Sequence, residues 1–177
     1  MLVAHQKLKE NIAEYVIYMY HIEDIIRAFD FDLDAIIENY VKPQLPDQGF
    51  IGQYREWYSR LIRQMQDEKI EKSGHLLSLK EYIIELNYLH KMLIEVLKEE
   101  KYIELFERTI PTIEEFAEKS NLKNHNHIEI AFHSQYMKLL LKLRKQEISA
   151  ETEEALDQMR FYLAYLSKKY HQMKQEN

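Results

Sequence analysis

Apolar residues recur along this chain at three- and four-residue steps, over stretches too long for strands. Leu8, Ile12, Tyr15, Met19, Ile22, Ile26 and Phe29 share one stripe, which predicts a first helix from about Gln6 to Phe29. Asp30 or Asp32 can cap a shorter second helix bearing Leu33, Ile36, Ile37 and Tyr40. Pro43 ends it, because the residue before a proline is pushed out of the α region. A third helix, roughly Ile51 to Lys72, presents Tyr54, Trp57, Tyr58, Leu61 and Met65, and Gly74 marks its end.

Ser78 followed by Glu81 reads as a capping box that opens a fourth helix. Its stripe is Leu79, Tyr82, Ile83, Leu86, Leu89, Leu93 and Leu97. That stripe fails at Glu100, Lys101 and Glu104, while apolar residues return out of phase at Tyr102, Ile103, Leu105 and Phe106. The helix is therefore expected to break near 98–101, although no Gly or Pro stands there. A fifth helix, about Tyr102 to Lys119, is expected to be interrupted at Pro111, which removes a backbone donor. The sixth runs from about His127 to Lys145 on Ile128, Phe132, Tyr136, Leu139 and Leu143. Ser149 caps a seventh with Ala155, Leu156, Met159, Tyr162, Leu163, Leu166 and Tyr170 on its stripe.

Breakers agree with this pattern. The chain has three Gly and three Pro, and four of the six fall between Pro43 and Gly52. The expected fold class is all-α: an antiparallel helical bundle of about five long helices plus two short or broken ones, forming a single domain over residues 1–177. A core of that size needs no metal or disulfide to hold it together.

Charge and composition narrow the partners. The net charge of −6 and sequence pI of about 5.8 argue against a nucleic-acid surface, which needs a basic face. The basic groups Lys138, Lys142, Arg144 and Lys145, and Lys168, Lys169 and Lys174, read as helix-dipole partners and solvated faces. The chain has no cysteine, which excludes thiol nucleophiles, disulfides and Cys-ligated metals, and fits a cytoplasmic setting. The first apolar run, Tyr15 to Tyr20, is followed by His21, Glu23 and Asp24 with no small-residue cleavage site, so no signal peptide is expected. No run of 18 uncharged residues exists, so no membrane span is expected either.

Few residues are placed to carry chemistry. Glu23 lies on the flank of the first stripe with Arg27 at i+4, an arrangement that reads first as a structural ion pair and second as a pocket acid held by an arginine. His90 falls inside the fourth stripe, where a neutral hydrogen-bonded core histidine is the plain reading, and His75 follows Gly74 in a turn. Together Glu23, Arg27, His75 and His90 are the candidate parts of a polar ligand pocket. His125, Glu129 and His133 stand at four-residue steps and resemble a metal column. Over eight helical residues, however, the outer two would lie about 12 Å apart, beyond the reach of one ion. No residue is assigned a catalytic role, and no cofactor is expected. Glycine-built nucleotide loops, the Glu-x-x-His pairs of di-iron bundles and complete calcium loops are all missing from the sequence.

Thirteen tyrosines and a single Trp57 mostly line the predicted core. Ile17, Ile84, Tyr88, Ile130, Leu141 and Phe161 point away from the main stripes, as in a helix central to a bundle or one that meets a partner.

At the level of whole segments the chain resembles a family of uncharacterised bacterial all-helical proteins, a domain of unknown function. The segments that carry the resemblance are Lys9-Glu10-Asn11-Ile12-Ala13-Glu14-Tyr15, Ile22-Glu23-Asp24-Ile25-Ile26-Arg27-Ala28, Gly74-His75-Leu76 and Glu147-Ile148-Ser149-Ala150-Glu151-Thr152. The resemblance implies a size and a helical, cytoplasmic character, and no site. The expected role is a non-enzymatic protein–protein interaction or self-associating module, with a homodimer or a helical protein as partner. The rival expectation is an enzyme or small-ligand-binding bundle that uses the polar pocket.

Overall fold

The structure, a computed structural model, describes residues 3–176 and is 81% helical, with eight α-helices and no strand among those residues. They are α1 (Val3–Glu10), α2 (Ile12–Ala28), α3 (Leu33–Ile36), α4 (Ile51–Asp67), α5 (Leu77–Lys91), α6 (Glu100–Lys119), α7 (His127–Leu143) and α8 (Ala150–Glu176). A π turn at Ile37–Val41 extends α3, and a second at Met92–Val96 extends α5. The fold class is all-α. No helix is long and apolar enough to cross a membrane among the described residues.

Two central helices organise the core. α7 buries Ile128, Ile130, Ala131, Phe132, Ser134, Gln135 and Lys138, on more than one of its faces. The off-stripe Ile130 is thus core, as a centrally placed helix requires. α8, of 27 residues, runs antiparallel to α7 and touches α2, α5 and α6 as well. Lys138, read from sequence as a dipole partner or solvated cation, is only 7% exposed and is held by Asp157 at 2.8 Å and Glu153 at 3.3 Å on α8. A cation so buried needs such partners.

The helix boundaries depart from expectation at the first helix, at α4, which ends at Asp67 and not near Lys72, and at Pro111. The first helix is two, α1 and α2, broken at Asn11. There the backbone turns extended (φ −155°, ψ 101°), and the Asn11 side chain accepts the Ala13 and Glu14 N–H groups. The Ile12 N–H donates to Nε2 of His171 at 2.9 Å, and Ser167 of α8 donates to Asn11 Oδ1 at 2.8 Å. Freed first-turn donors thus find acceptors from the other end of the chain. α6 runs through Pro111 without interruption. Pro111 and Glu107, whose carbonyl loses its donor, are both exposed, so water can serve the orphan group. The predicted break at 98–101 is present: Lys98 takes a positive φ of 47° and α6 restarts at Glu100. The preceding π turn adds a residue to the winding, so Leu97 is turned outward and is 57% exposed.

Candidate functional site

The polar groups nearest the core gather where α2 meets the connection from α4 to α5. Glu23, on the inner face of α2, is 1% exposed. Its two oxygens are both engaged. Oε1 accepts the Leu76 N–H at 2.9 Å, and Nδ1 of His75 donates to Oε2 at 2.6 Å. Glu23 therefore stands at the N-terminus of α5, where the helix dipole favours a carboxylate and the first-turn amides need acceptors. The predicted capping box does not open α5: Leu76 is its N-cap residue, and Glu68 Oε2 takes the Leu77 N–H at 2.7 Å.

Arg27 serves the same connection from its carbonyl side. Its guanidinium donates to the carbonyls of Ile70 at 3.1 Å and Gly74 at 2.5 Å, and pairs with Asp24 at 2.9 Å. Its carboxylate partner is thus Asp24, three residues before it, in place of the expected Glu23, four residues before it. Gly74 has φ +97°, a conformation that strains any residue with a Cβ. Asp24 also accepts the hydroxyl of Tyr136 on α7. One acid and one guanidinium, a turn apart on α2, thus pin both the N–H and the C=O groups of residues 70–76.

Rings close over this clamp. His75 stacks on Tyr20 with centroids 3.5 Å apart and planes at 15°. Tyr136 meets Tyr20 edge-on at 5.8 Å, and His133 lies 5.9 Å from His75 and 5.7 Å from His125. Burial first, then the neighbouring His75 and His125, holds the His133 imidazole below its ordinary pKa, with Glu129 opposing.

His90 is elsewhere. It sits on α5 fourteen residues beyond Leu76, about 21 Å along the helix. Its Nδ1 is 2.8 Å from the Tyr102 hydroxyl and 3.2 Å from that of Tyr162, and Phe106 packs on its ring at 4.6 Å. Burial, reinforced by His127 and Lys91, lowers its pKa to about 4, so it is a neutral acceptor among aromatics. The structure brings Glu23, Arg27 and His75 together and leaves His90 in a separate aromatic layer.

The metal candidates are also rearranged. α7 begins at His127, so His125 precedes the helix and folds back toward His133 instead of standing in a column with it. Glu129 closes a capping box: its Oε2 accepts the Asn126 N–H at 3.1 Å while Asn126 Oδ1 accepts the Glu129 N–H at 3.0 Å. His125 Nδ1 lies 3.3 Å from Glu129. No group of three or more His, Asp or Glu residues is placed to hold a metal ion among the described residues.

A different feature lies on the surface. Between α5 and α8 runs an apolar groove of about 350 Å³, lined chiefly by Ile84, Tyr88, Leu89, Met92, Tyr170 and Met173. Ile84 is 66% and Tyr88 75% exposed. On one rim Glu85 accepts the Tyr170 hydroxyl at 2.6 Å and faces Lys174 at 3.2 Å. These contacts hold the Glu85 carboxyl below its ordinary range, the Tyr170 hydrogen bond contributing most.

Residues 1–177 match the family described as a domain of unknown function, DUF4924. The chain belongs to that family. No curated protein and no solved structure matches it. The sequence marked Glu23, Arg27 and His75 as one group and His133 only as a metal candidate, and it did not join Tyr20, Tyr136 or His133 to the group whose surroundings they complete. Tyr20 and Tyr136 had the aromatic signal, and only the three-dimensional packing joins them.

Proposed function

We propose that this protein is a non-enzymatic interaction module that self-associates through the outward face of α5 and the adjoining groove. The observation that carries this reading is the pair Ile84 and Tyr88, two large apolar side chains exposed side by side at the mouth of an apolar groove. Contiguous exposed apolar surface rimmed by charge is the mark of an interaction site. The interior polar groups support the same reading. Glu23 and Arg27 spend their hydrogen bonds on the α4–α5 connection, and His90 spends its own on two tyrosines. The enzyme or ligand-binding alternative needs Glu23, Arg27, His75 and His90 around one cavity, and His90 lies a long way along α5 from the other three. A cytoplasmic setting goes with this proposal and rests on the cysteine-free sequence.

Multi-angle light scattering tests the module. The wild-type chain is expected to show a dimer mass in the micromolar range, and Ile84→Glu a monomer with unchanged helix content. A wild-type monomer throughout that range would refute the reading.

A further inference from the structure

The outward stripe of α5 has a symmetry that names its partner surface, an inference that rests on the self-association reading. Leu77, Glu81, Ile84, Tyr88 and Lys91 follow one another at three- and four-residue steps and so share a face. The π turn then adds a residue, with the Leu97 N–H reaching back five positions to the Met92 carbonyl at 2.9 Å. The stripe accordingly continues at Val96 and not at Glu95. Its apolar members are open to solvent: Leu77 is 57% exposed and Val96 72%, flanking Ile84 and Tyr88. Glu81 and Lys91 are exposed too, and neither forms an ion pair with another described residue.

Read from either end, the stripe runs apolar, charged, apolar, apolar, charged, apolar, and reversal exchanges the acid for the base. Positions 84 and 88, and positions 81 and 91, are centred on the same residue, Leu86. We propose that a second copy of this chain docks α5 against α5, antiparallel, about a two-fold axis that crosses the outward face of α5, between Ile84 and Tyr88, at the height of the inward-facing Leu86. Ile84 of each copy then lies opposite Tyr88 of the other, and Leu77 lies beside Val96 of the second copy. Glu81 and Lys91 form two equivalent ion pairs, as an isologous interface demands. The seam is about 28 Å long at 1.5 Å per residue. A parallel pairing would set acid on acid and base on base, a juxtaposition that disfavours it. The α5–α8 groove beside the seam gives the Tyr88 rings apolar surface to pack on.

Charge exchange tests the register. Sedimentation equilibrium on the full chain compares wild type with Glu81→Lys, Lys91→Glu, the double variant, and an equimolar mixture of the two single variants. All the altered side chains are exposed, and circular dichroism checks that helix content is kept. Each single variant is expected to weaken the dimer about tenfold, because two attractive surface pairs become repulsive. The double variant is expected to return to within about threefold of wild type, since each reversal compensates the other. The mixed single variants are expected to pair with each other in preference to themselves. A wild-type dimer that the single variants leave intact, or that the double variant fails to restore, overturns this register while leaving self-association standing. A wild-type monomer at every concentration overturns both.

Discussion

Helices α5 and α7 begin in opposite ways. α7 is opened by its own residues: Asn126 and Glu129 exchange hydrogen bonds three positions apart. α5 is opened from a distance, with Glu23 of α2, 53 positions earlier in the chain, accepting the Leu76 N–H, and Glu68 from the end of α4 accepting that of Leu77. The two starts satisfy the same orphan donors. Their consequences differ, because a local cap stabilises one helix while a remote buried carboxylate ties α2 to the start of α5. α2 lies between them: Asn11 caps locally, and His171 and Ser167 assist from α8.

The contrast can be broken by mutation. Glu23→Ala removes the acceptor of a buried amide and of His75, and is expected to cost about 3–5 kcal/mol in denaturant unfolding. A loss below about 1 kcal/mol, the value of an ordinary cap, would erase the distinction.

Acidification sharpens it next, through histidines that work only when neutral. The folded pKa of His90 is depressed to about 4 from 6.5 by burial. Between those values the unfolded chain binds the proton and the folded chain does not, so this contribution is full above pH 6.5 and is lost as pH falls toward 4. With solvent screening discounted, the loss is about 2 kcal/mol. Burial shifts His21, His133 and His171 the same way, and protonated His171 could no longer accept the Ile12 N–H. Unfolding midpoints measured from pH 7 to pH 5 should therefore fall steadily, and a flat profile would contradict this reading of the histidines.

Smaller effects complete the series. Asn11→Ala should cost about 1–2 kcal/mol, since two amides and the Ser167 hydroxyl lose a partner. Asn126→Ala should cost about 1 kcal/mol, the usual value for an exposed cap. Thermal or urea unfolding of both variants checks that their order follows the number of partners lost.

The same contrast explains what could be read from residues alone. Stripe patterns revealed the all-α class and the break near 98–101, and residue type revealed the cap at Ser149 and narrowed another to Asp30 or Asp32, of which Asp32 accepts the Ala35 N–H. Each depends on residues within a turn or two of one another. The break at Asn11 was hidden because its acceptors arrive from Ser167 and His171, and the apolar stripe continues across it without a change of phase. The opening of α5 was misread because Ser78 and Glu81 have the spacing of a capping box, while the competing carboxylates come from helices that only folding brings near. For the candidate site, Glu23 was legible as an acid needing a partner. Its actual partners, His75 and the Leu76 amide, are tertiary contacts with no periodic signature. The exposed pair Ile84 and Tyr88 was legible as apolar residues off the main stripe, because that judgement depends only on the geometry of α5.

Hydrogen exchange at the Leu76 amide, followed by NMR in the wild-type protein and in Glu23→Ala, tests the remote-cap account most directly. We predict strong protection in the wild type despite its place at a helix start, and loss of that protection in the variant while the Glu129 amide is unchanged. A Leu76 amide that exchanges at the open-chain rate in the wild type, or stays protected without Glu23, would contradict the account.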